Sequence, residues 1–99
     1  MYLRISWGTL KPGTWDEYAA THDRVVPGVG AVDGLRGRMI ARDVDRDDTG
    51  YSISLWESLE AMREYEEGPL AAVISELEPY FGGEFSTHRC DVGDQQGFK

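Results

Sequence analysis

Apolar and polar residues alternate in four segments of the chain, a pattern typical of half-buried β-strands. In the first segment Leu3, Ile5 and Trp7 point to one side, and the small or polar residues between them point to the other. A polar turn separates the second and third segments, which predicts a β-hairpin. The four predicted strands span residues 2–10, 35–42, 51–56 and 84–92.

Helical spacing replaces this alternation in the two regions between the strands. Thr14 begins the first predicted helix, and Pro27-Gly28 ends it. The apolar face of that helix carries Trp15, Tyr18, His22 and Val26. Ser58 caps the second helical region, which Gly68-Pro69 interrupts before it continues to Leu77.

The order of these elements is β-α-β-β-α-β, the split βαβ arrangement of ferredoxin-like α+β domains. We therefore predict one domain over residues 1–92, with a four-stranded antiparallel sheet and both helices on one face, and a flexible tail at 93–99. Because an open sheet face must be solvated or covered, we expect two copies to pair through the other face as a homodimeric barrel. That open face is predicted to carry Arg4, Ser6, Ser52, Ser54, Trp56, Ser86 and His88.

The chain is acidic, with a formal net charge of −8. This charge disfavours nucleic acids, whose binding needs clustered Lys and Arg, and it disfavours anionic membrane surfaces. The single cysteine, Cys90, permits no internal disulfide, and no signal peptide is visible at the N-terminus. No apolar stretch approaches the roughly 18 residues of a membrane span. We therefore expect a cytoplasmic protein.

Four local features point to a known family. They are the turn Lys11-Pro12-Gly13-Thr14, the strand entry Gly34-Leu35-Arg36-Gly37, the strand end Ser54-Leu55-Trp56-Glu57-Ser58, and a helix with Tyr65 before Gly68-Pro69. Together they span about residues 2–92 and resemble the antibiotic-biosynthesis-monooxygenase family of dimeric α+β barrels. The resemblance implies that fold, a homodimer, and one of several chemistries. Among these are the oxidation of polycyclic phenols by O2 without a cofactor, and haem degradation.

The resemblance transfers to individual residues only in part. Trp56 matches the family tryptophan that lies at the pocket of both the haem-degrading and the cofactor-free branches. The haem-degrading branch pairs it with an Asn, matched here by Ser6, and with a haem-ligating His, near whose place Glu66 stands. The cofactor-free branch also uses an Asn, and this chain contains none. Haem degradation by that mechanism is therefore not expected.

The two histidines are the candidate bases. His22 lies mid-helix on the apolar face, where a neutral imidazole could accept a proton from a phenol or a carbon acid. The alternative is a structural His at the edge of the core. His88 could act as a base or a substrate contact, or it could be a solvated or interface residue. Trp56 could stack on a planar ligand or anchor an interface. The predicted substrate-binding residues are Tyr18, Tyr65, Ser6 and His88.

No metal site is predicted. Asp43, Asp45 and Asp47 occupy the first, third and fifth positions of a calcium loop, but Asp48 and Ser54 replace its required Gly and Glu. Two distant histidines without a cysteine pair form no recognisable zinc site. We likewise expect no cofactor.

The leading hypothesis is a cofactor-independent monooxygenase acting on a small planar aromatic or polyketide-like substrate. Trp56 would bind the flat ring and His22 would remove a proton, and the resulting anion would react with O2 and supply the electrons. The alternative is a non-catalytic dimeric module that binds a ligand or a partner without turnover. Haem binding is a third, less favoured hypothesis.

Overall fold

The computed structural model describes residues 1–28 and 31–97, and all the predicted elements are present in it. The second helical region consists of two helices, because Gly68 and Pro69 separate them, and a short 3-10 turn, Glu78–Tyr80, follows the second of the two. The elements are β1 (Tyr2–Leu10), α1 (Trp15–Gly28), β2 (Leu35–Arg42), β3 (Thr49–Trp56), α2 (Leu59–Glu67), α3 (Leu70–Leu77) and β4 (Phe81–Asp91).

The four strands form one antiparallel sheet in the order β2-β3-β1-β4. This order places β1 and β3 at the centre, with the hairpin partner β2 on one edge and the last strand on the other. The predicted ferredoxin-like α+β fold is therefore confirmed. The predicted connection at 28–34 includes residues 29 and 30, and the predicted tail at 93–99 includes residues 98 and 99. These four residues lie outside the described part of the chain.

Two strands begin earlier than predicted, β3 by two residues, at Thr49, and β4 by three. Helix α1 ends at Gly28 and includes Pro27, although proline has no N–H to donate to the carbonyl oxygen four residues earlier. Strand β4 begins at Phe81, three residues before the predicted start at Glu84. At Gly82 a Cβ atom would lie 2.6 Å from the carbonyl carbon of Leu10, so the glycine allows the strand to pass close to the end of β1.

The predicted assignment of the sheet faces is wrong for the central strands. Ser6 of β1 is opposite Ser52 of β3 and Thr87 of β4, and residues paired in this way share one face of the sheet. Leu10, on the same side of β1, is buried in one cluster with residues of α1 and α3. The serine side, with Trp56, is therefore the face that the helices cover. Ser86 and His88 lie on the opposite side.

The other face, which we call the outer face, is the apolar one. Most of its side chains are only partly buried, and Met39 is 52% exposed. The alternation shows that the sheet has two different faces, but it does not show which face the helices cover. Because the helices have apolar faces, the apolar face of the sheet was expected to pack against them, and this expectation is wrong. The large residues of the outer face are Leu3, Ile5, Trp7, Met39, Tyr51, Ile53 and Leu55.

Candidate functional site

A cavity of about 110 Å³ lies between the helices and the covered face of the sheet. This volume accommodates about one aromatic ring, since an apolar cavity of about 150 Å³ binds benzene. The cavity brings together five of the six predicted site residues, and it joins Trp56 to His22 in one space. These five lining residues are Ser6, Tyr18, His22, Trp56 and Tyr65.

Trp56 forms one wall of this cavity at the end of β3. It is 1% exposed, and its indole N–H donates a 2.8 Å hydrogen bond to the Ser54 hydroxyl oxygen. The Tyr65 ring of α2 is tilted against it, with 5.3 Å between the ring centroids and 43° between the ring planes. The hydrogen bond and the ring contact hold the indole in place, so the cavity has a rigid aromatic side.

His22 reaches the cavity from α1 and is half-buried. Its ring lies 6.1 Å from that of Tyr18, one helical turn earlier. Burial lowers the pKa of His22 below its ordinary value, the positive charge of Arg38 lowers it further, and Asp23 opposes these effects. The imidazole is therefore neutral at pH 7, the form that accepts a proton.

The two tyrosines of the cavity are protonated phenols. Burial raises the pKa of Tyr18. Burial also raises the pKa of Tyr65, although Arg4 and Arg38 partly oppose the rise. Both residues can therefore donate a hydrogen bond to an oxygen atom of a ligand.

Ser6 and the other polar groups of the covered face are partly engaged with each other. The Ser6 and Thr87 hydroxyl groups share a 2.8 Å hydrogen bond across β1 and β4. The Arg4 Nε–H donates a 2.8 Å hydrogen bond to the Glu66 carboxylate of α2. Arg89 binds the same carboxylate, and its hydrogen bonds are the largest cause of the lowered pKa of Glu66. Glu66 is therefore ionised, and the two arginines balance its negative charge.

His88 lies apart from the cavity. It is exposed on β4, opposite Ile5, and its Nε2 lies 3.4 Å from the Ser86 hydroxyl. The structure does not bring it to the five residues above. A contact with the same substrate would require a different surface of the protein.

Sequence reasoning missed several polar residues that line the cavity, among them Arg4, Arg38, Ser52 and Ser54. Arg4, Ser52 and Ser54 were assigned to the open face, and Arg38 was not singled out. The cross-strand register places Ser54 opposite both arginines on the covered face. The alternation places these residues on the same side of their strands. They can be recognised as cavity residues only when the face that the helices cover is known.

In the acidic turn between β2 and β3, the Asp43 carboxylate is engaged by neighbouring groups. Asp43 accepts backbone N–H groups of Asp45 and Arg46 and the Tyr51 hydroxyl, and these hydrogen bonds lower its pKa. Among residues 1–28 and 31–97, no group of three or more His, Cys, Asp and Glu side chains is arranged to hold a metal ion. In the same part of the chain, no helix combines the length and the apolar character needed to cross a membrane.

Comparisons with known proteins identify the fold. No family model and no curated protein matches the chain. Solved structures match it over nearly its full length, and they are consistently antibiotic biosynthesis monooxygenase domain proteins. One of them, from Chloroflexus aurantiacus, shares 19% identity at a TM-score of 0.77, covering 99% of this chain and 98% of that one.

Two other similar structures carry more specific names. SnoaB from Streptomyces nogalater, named as a cofactor-independent oxygenase, shares 13% identity at a TM-score of 0.80, covering 97% of this chain and 96% of its own. A MhuD variant with manganese protoporphyrin IX bound shares 21% identity at a TM-score of 0.82, covering 98% and 99%. At these identities the likeness establishes the fold, whereas the chemistry must be argued from the cavity.

Proposed function

We propose that this protein is a cofactor-independent monooxygenase that oxidises a small aromatic substrate in the cavity between the helices and the sheet. One observation carries the proposal: His22, whose pKa is lowered by burial, and the hydrogen-bonded Trp56 line the same space. The likeness to SnoaB, named as a cofactor-independent oxygenase, supports the same reaction class. Fold likeness alone does not fix an activity, so the proposal depends on those two residues.

The proposed reaction needs only the substrate, O2 and a base. The aromatic ring binds against Trp56 and Tyr65, and His22 removes a proton from an acidic C–H or O–H group. The electron-rich carbanion then reacts with O2. An activated CH2 group becomes C=O, one oxygen atom enters the product, and the other leaves as water. The substrate supplies all the electrons, and the Tyr18 hydroxyl can donate to a developing oxyanion.

The size of the cavity limits how much of the substrate it encloses. The cavity of about 110 Å³ holds about one ring and is open on one side. It would therefore hold the reacting ring, and the further rings of a two- or three-ring substrate would extend through the mouth.

Oxygen uptake with an anthrone such as dithranol, measured above its autoxidation rate, tests the proposal. We expect catalysed uptake that falls by about 10²-fold or more in His22→Ala, the usual contribution of a general base. His88→Ala is the matched control, since it removes the other histidine far from the cavity. The His22 assignment is wrong if the two variants turn over equally. A 1-naphthol-type substrate repeats the test for a smaller ring system.

A binding module without turnover is the second candidate function. Several polar groups of the cavity already bind each other, as in the Ser6–Thr87 and Trp56–Ser54 hydrogen bonds, which leaves few groups for chemistry. Saturable binding of an aromatic compound with no oxygen uptake from any anthrone or naphthol would support this alternative.

Haem fits these residues poorly. Glu66 stands near the position that the family resemblance gives to the ligating His, and it is held by Arg4 and Arg89. Glu66 does not line the cavity. In a hemin titration we expect no saturable Soret shift.

The outer face supports a proposal of a homodimer. It is the most apolar surface of the described sheet, and its large side chains are only partly buried. Burial of such a face is favourable by roughly 25 cal/mol per Å², so we propose that two copies pack sheet against sheet. Light scattering should give twice the 11.1 kDa mass of one chain at micromolar concentration. A cytoplasmic location stays a prediction from the sequence.

A further inference from the structure

Arginines cross the covered face of the sheet in a single row. Arg4 of β1 is opposite Ser54 of β3 on one side and Arg89 of β4 on the other. Arg38 of β2 is opposite Ser54 and completes the row. Three cations thus lie in one row on one face of a chain whose net charge is −8, with Ser54 between Arg38 and Arg4.

Only one carboxylate serves this row. Glu66 accepts hydrogen bonds from both Arg4 and Arg89. The ion pairs within the described residues do not include Arg38. Arg4 and Arg38 line the cavity, but no Asp or Glu side chain does. Within the described residues, the Arg38 guanidinium therefore has no ion-pair partner, although the Asp23 carboxylate shares a neighbouring hollow with it.

The position of Arg38 places this charge beside the chemistry. The positive charge of its guanidinium lowers the pKa of His22 and also that of Tyr65. Burial has the larger effect on both groups, and it lowers the pKa of His22 but raises that of Tyr65. Arg38 also borders a second hollow that it shares with His22 and Asp23. Arg38 is exposed and stands at the mouth, where a ligand would enter.

Ser54 offers a second donor next to Arg38. Its oxygen already accepts the Trp56 indole N–H, and within the described residues its own O–H has no acceptor. A hydroxyl that accepts one hydrogen bond keeps its proton available for another. An anionic oxygen bound between Arg38 and Ser54 would meet a charge-assisted donor and a neutral donor.

We propose that the cavity binds an aromatic carboxylate, with the ring against Trp56 and the carboxylate held by the Arg38 guanidinium and the Ser54 hydroxyl. This inference names the substrate class of the site and so rests on the proposed function for its importance, but it requires only binding. The anchored carboxylate would hold the reacting carbon at a fixed distance from His22, since proximity and orientation depend on such a clamp.

Benzoate and benzamide are the test probes, because they have the same shape and differ in charge. The Trp56 indole N–H resonance, assigned by its loss in Trp56→Phe, reports binding in the ¹H–¹⁵N spectrum. We expect benzoate to shift this resonance saturably, in the millimolar range or tighter for so small a ligand, and to bind about tenfold tighter than benzamide. In Arg38→Gln benzoate affinity should fall about tenfold, and benzamide affinity should not change.

Arg36→Gln is the matched control. Arg36 lies on the same strand, is exposed, and already pairs with Glu57, so this variant removes the same charge without touching the cavity. Ser54→Ala should weaken benzoate by severalfold with the melting temperature monitored beside it. Equal benzoate and benzamide affinities, or equal losses in Arg36→Gln and Arg38→Gln, would overturn the inference.

Binding and turnover fail independently. If benzoate binds through Arg38 but no substrate is oxidised, the proposed oxygenase is wrong and the carboxylate site stands. If anthrones or naphthols are oxidised through His22 but Arg38→Gln leaves benzoate affinity unchanged, the oxygenase stands and the carboxylate site is wrong.

Discussion

Replacement of Glu66 by Gln should destabilise the protein more than any other loss of one surface-accessible charge. The Glu66 and Arg4 side chains are 13% and 12% exposed, and their closest contact is 2.8 Å. Arg89 binds the same carboxylate but is 41% exposed. Gln at this position keeps the shape, removes the charge, and turns an amide N–H₂ group toward guanidinium donors.

The size of the loss follows from burial. A hydrogen bond to a charged group contributes about 1.5–3 kcal/mol, and the Arg4 guanidinium would be left largely buried without its counter-ion. The exposed Arg89 contact is screened and adds little. We therefore expect Glu66→Gln to lower the free energy of unfolding by about 2 kcal/mol.

Glu57→Gln is the matched control for this prediction. It breaks the Arg36–Glu57 pair, whose side chains are 58% and 47% exposed, and should cost less than about 0.5 kcal/mol. Urea unfolding at fixed protein concentration measures both variants. With an m-value of about 1–3 kcal/mol/M, Glu66→Gln should shift the midpoint by about 1 M. Equal midpoints for the two variants would refute the reasoning.

The stabilisation by Glu66 should also depend on pH in a defined direction. Arg89 and Arg4 lower the pKa of Glu66 below its ordinary value in the folded protein. The unfolded chain therefore takes up the proton first, and stability falls as the pH drops through the lowered pKa. The difference between wild type and Glu66→Gln should be full above pH 5 and shrink in stronger acid. A constant difference would contradict the ion pair.

Three further outcomes are expected. Gly50→Ala should destabilise the fold by about 1–3 kcal/mol, because its Cβ would lie 2.6 Å from the Trp15 ring. Gly37→Ala should not destabilise the fold, because the space around Gly37 is open. Thermal melting compares the two variants. Turnover should decline in acid with an apparent pKa below 6.5, because the lowered pKa of His22 keeps the base neutral to lower pH; a decline centred above 6.5 would contradict this. Ile5→Glu on the outer face should yield monomers in light scattering.

The order and type of the elements could be predicted from the sequence because each rests on local pattern. Alternation, proline and glycine positions, and the helical spacing from Trp15 to Val26 all agree with the observed elements. The two boundary errors arise where local rules meet tertiary structure. Gly82 reads as a turn residue, but close approach to Leu10 makes it part of a strand.

The site was only half predictable for a different reason. Trp56, His22 and the two tyrosines were found by residue type and helical face, and they line one cavity. Arg38 and Ser54 were missed because they line the cavity only if the helices cover their face of the sheet. That choice is made by packing between distant segments, and a period of two contains no information about it.

The helices cover the small and polar face of the sheet rather than its apolar face, and this arrangement connects the cavity with the proposed dimer. The helices cover Gly8, Ser6 and Arg4, small or polar residues that leave room for a ligand. The large apolar residues of the sheet lie on the outer face instead, where a single copy leaves them partly exposed. A chain of this length has little other apolar surface to bury. The cavity reduces the apolar contacts within the core, and pairing through the outer face would compensate for that loss of stability. We therefore expect monomeric variants to be less stable and to bind ligand more weakly.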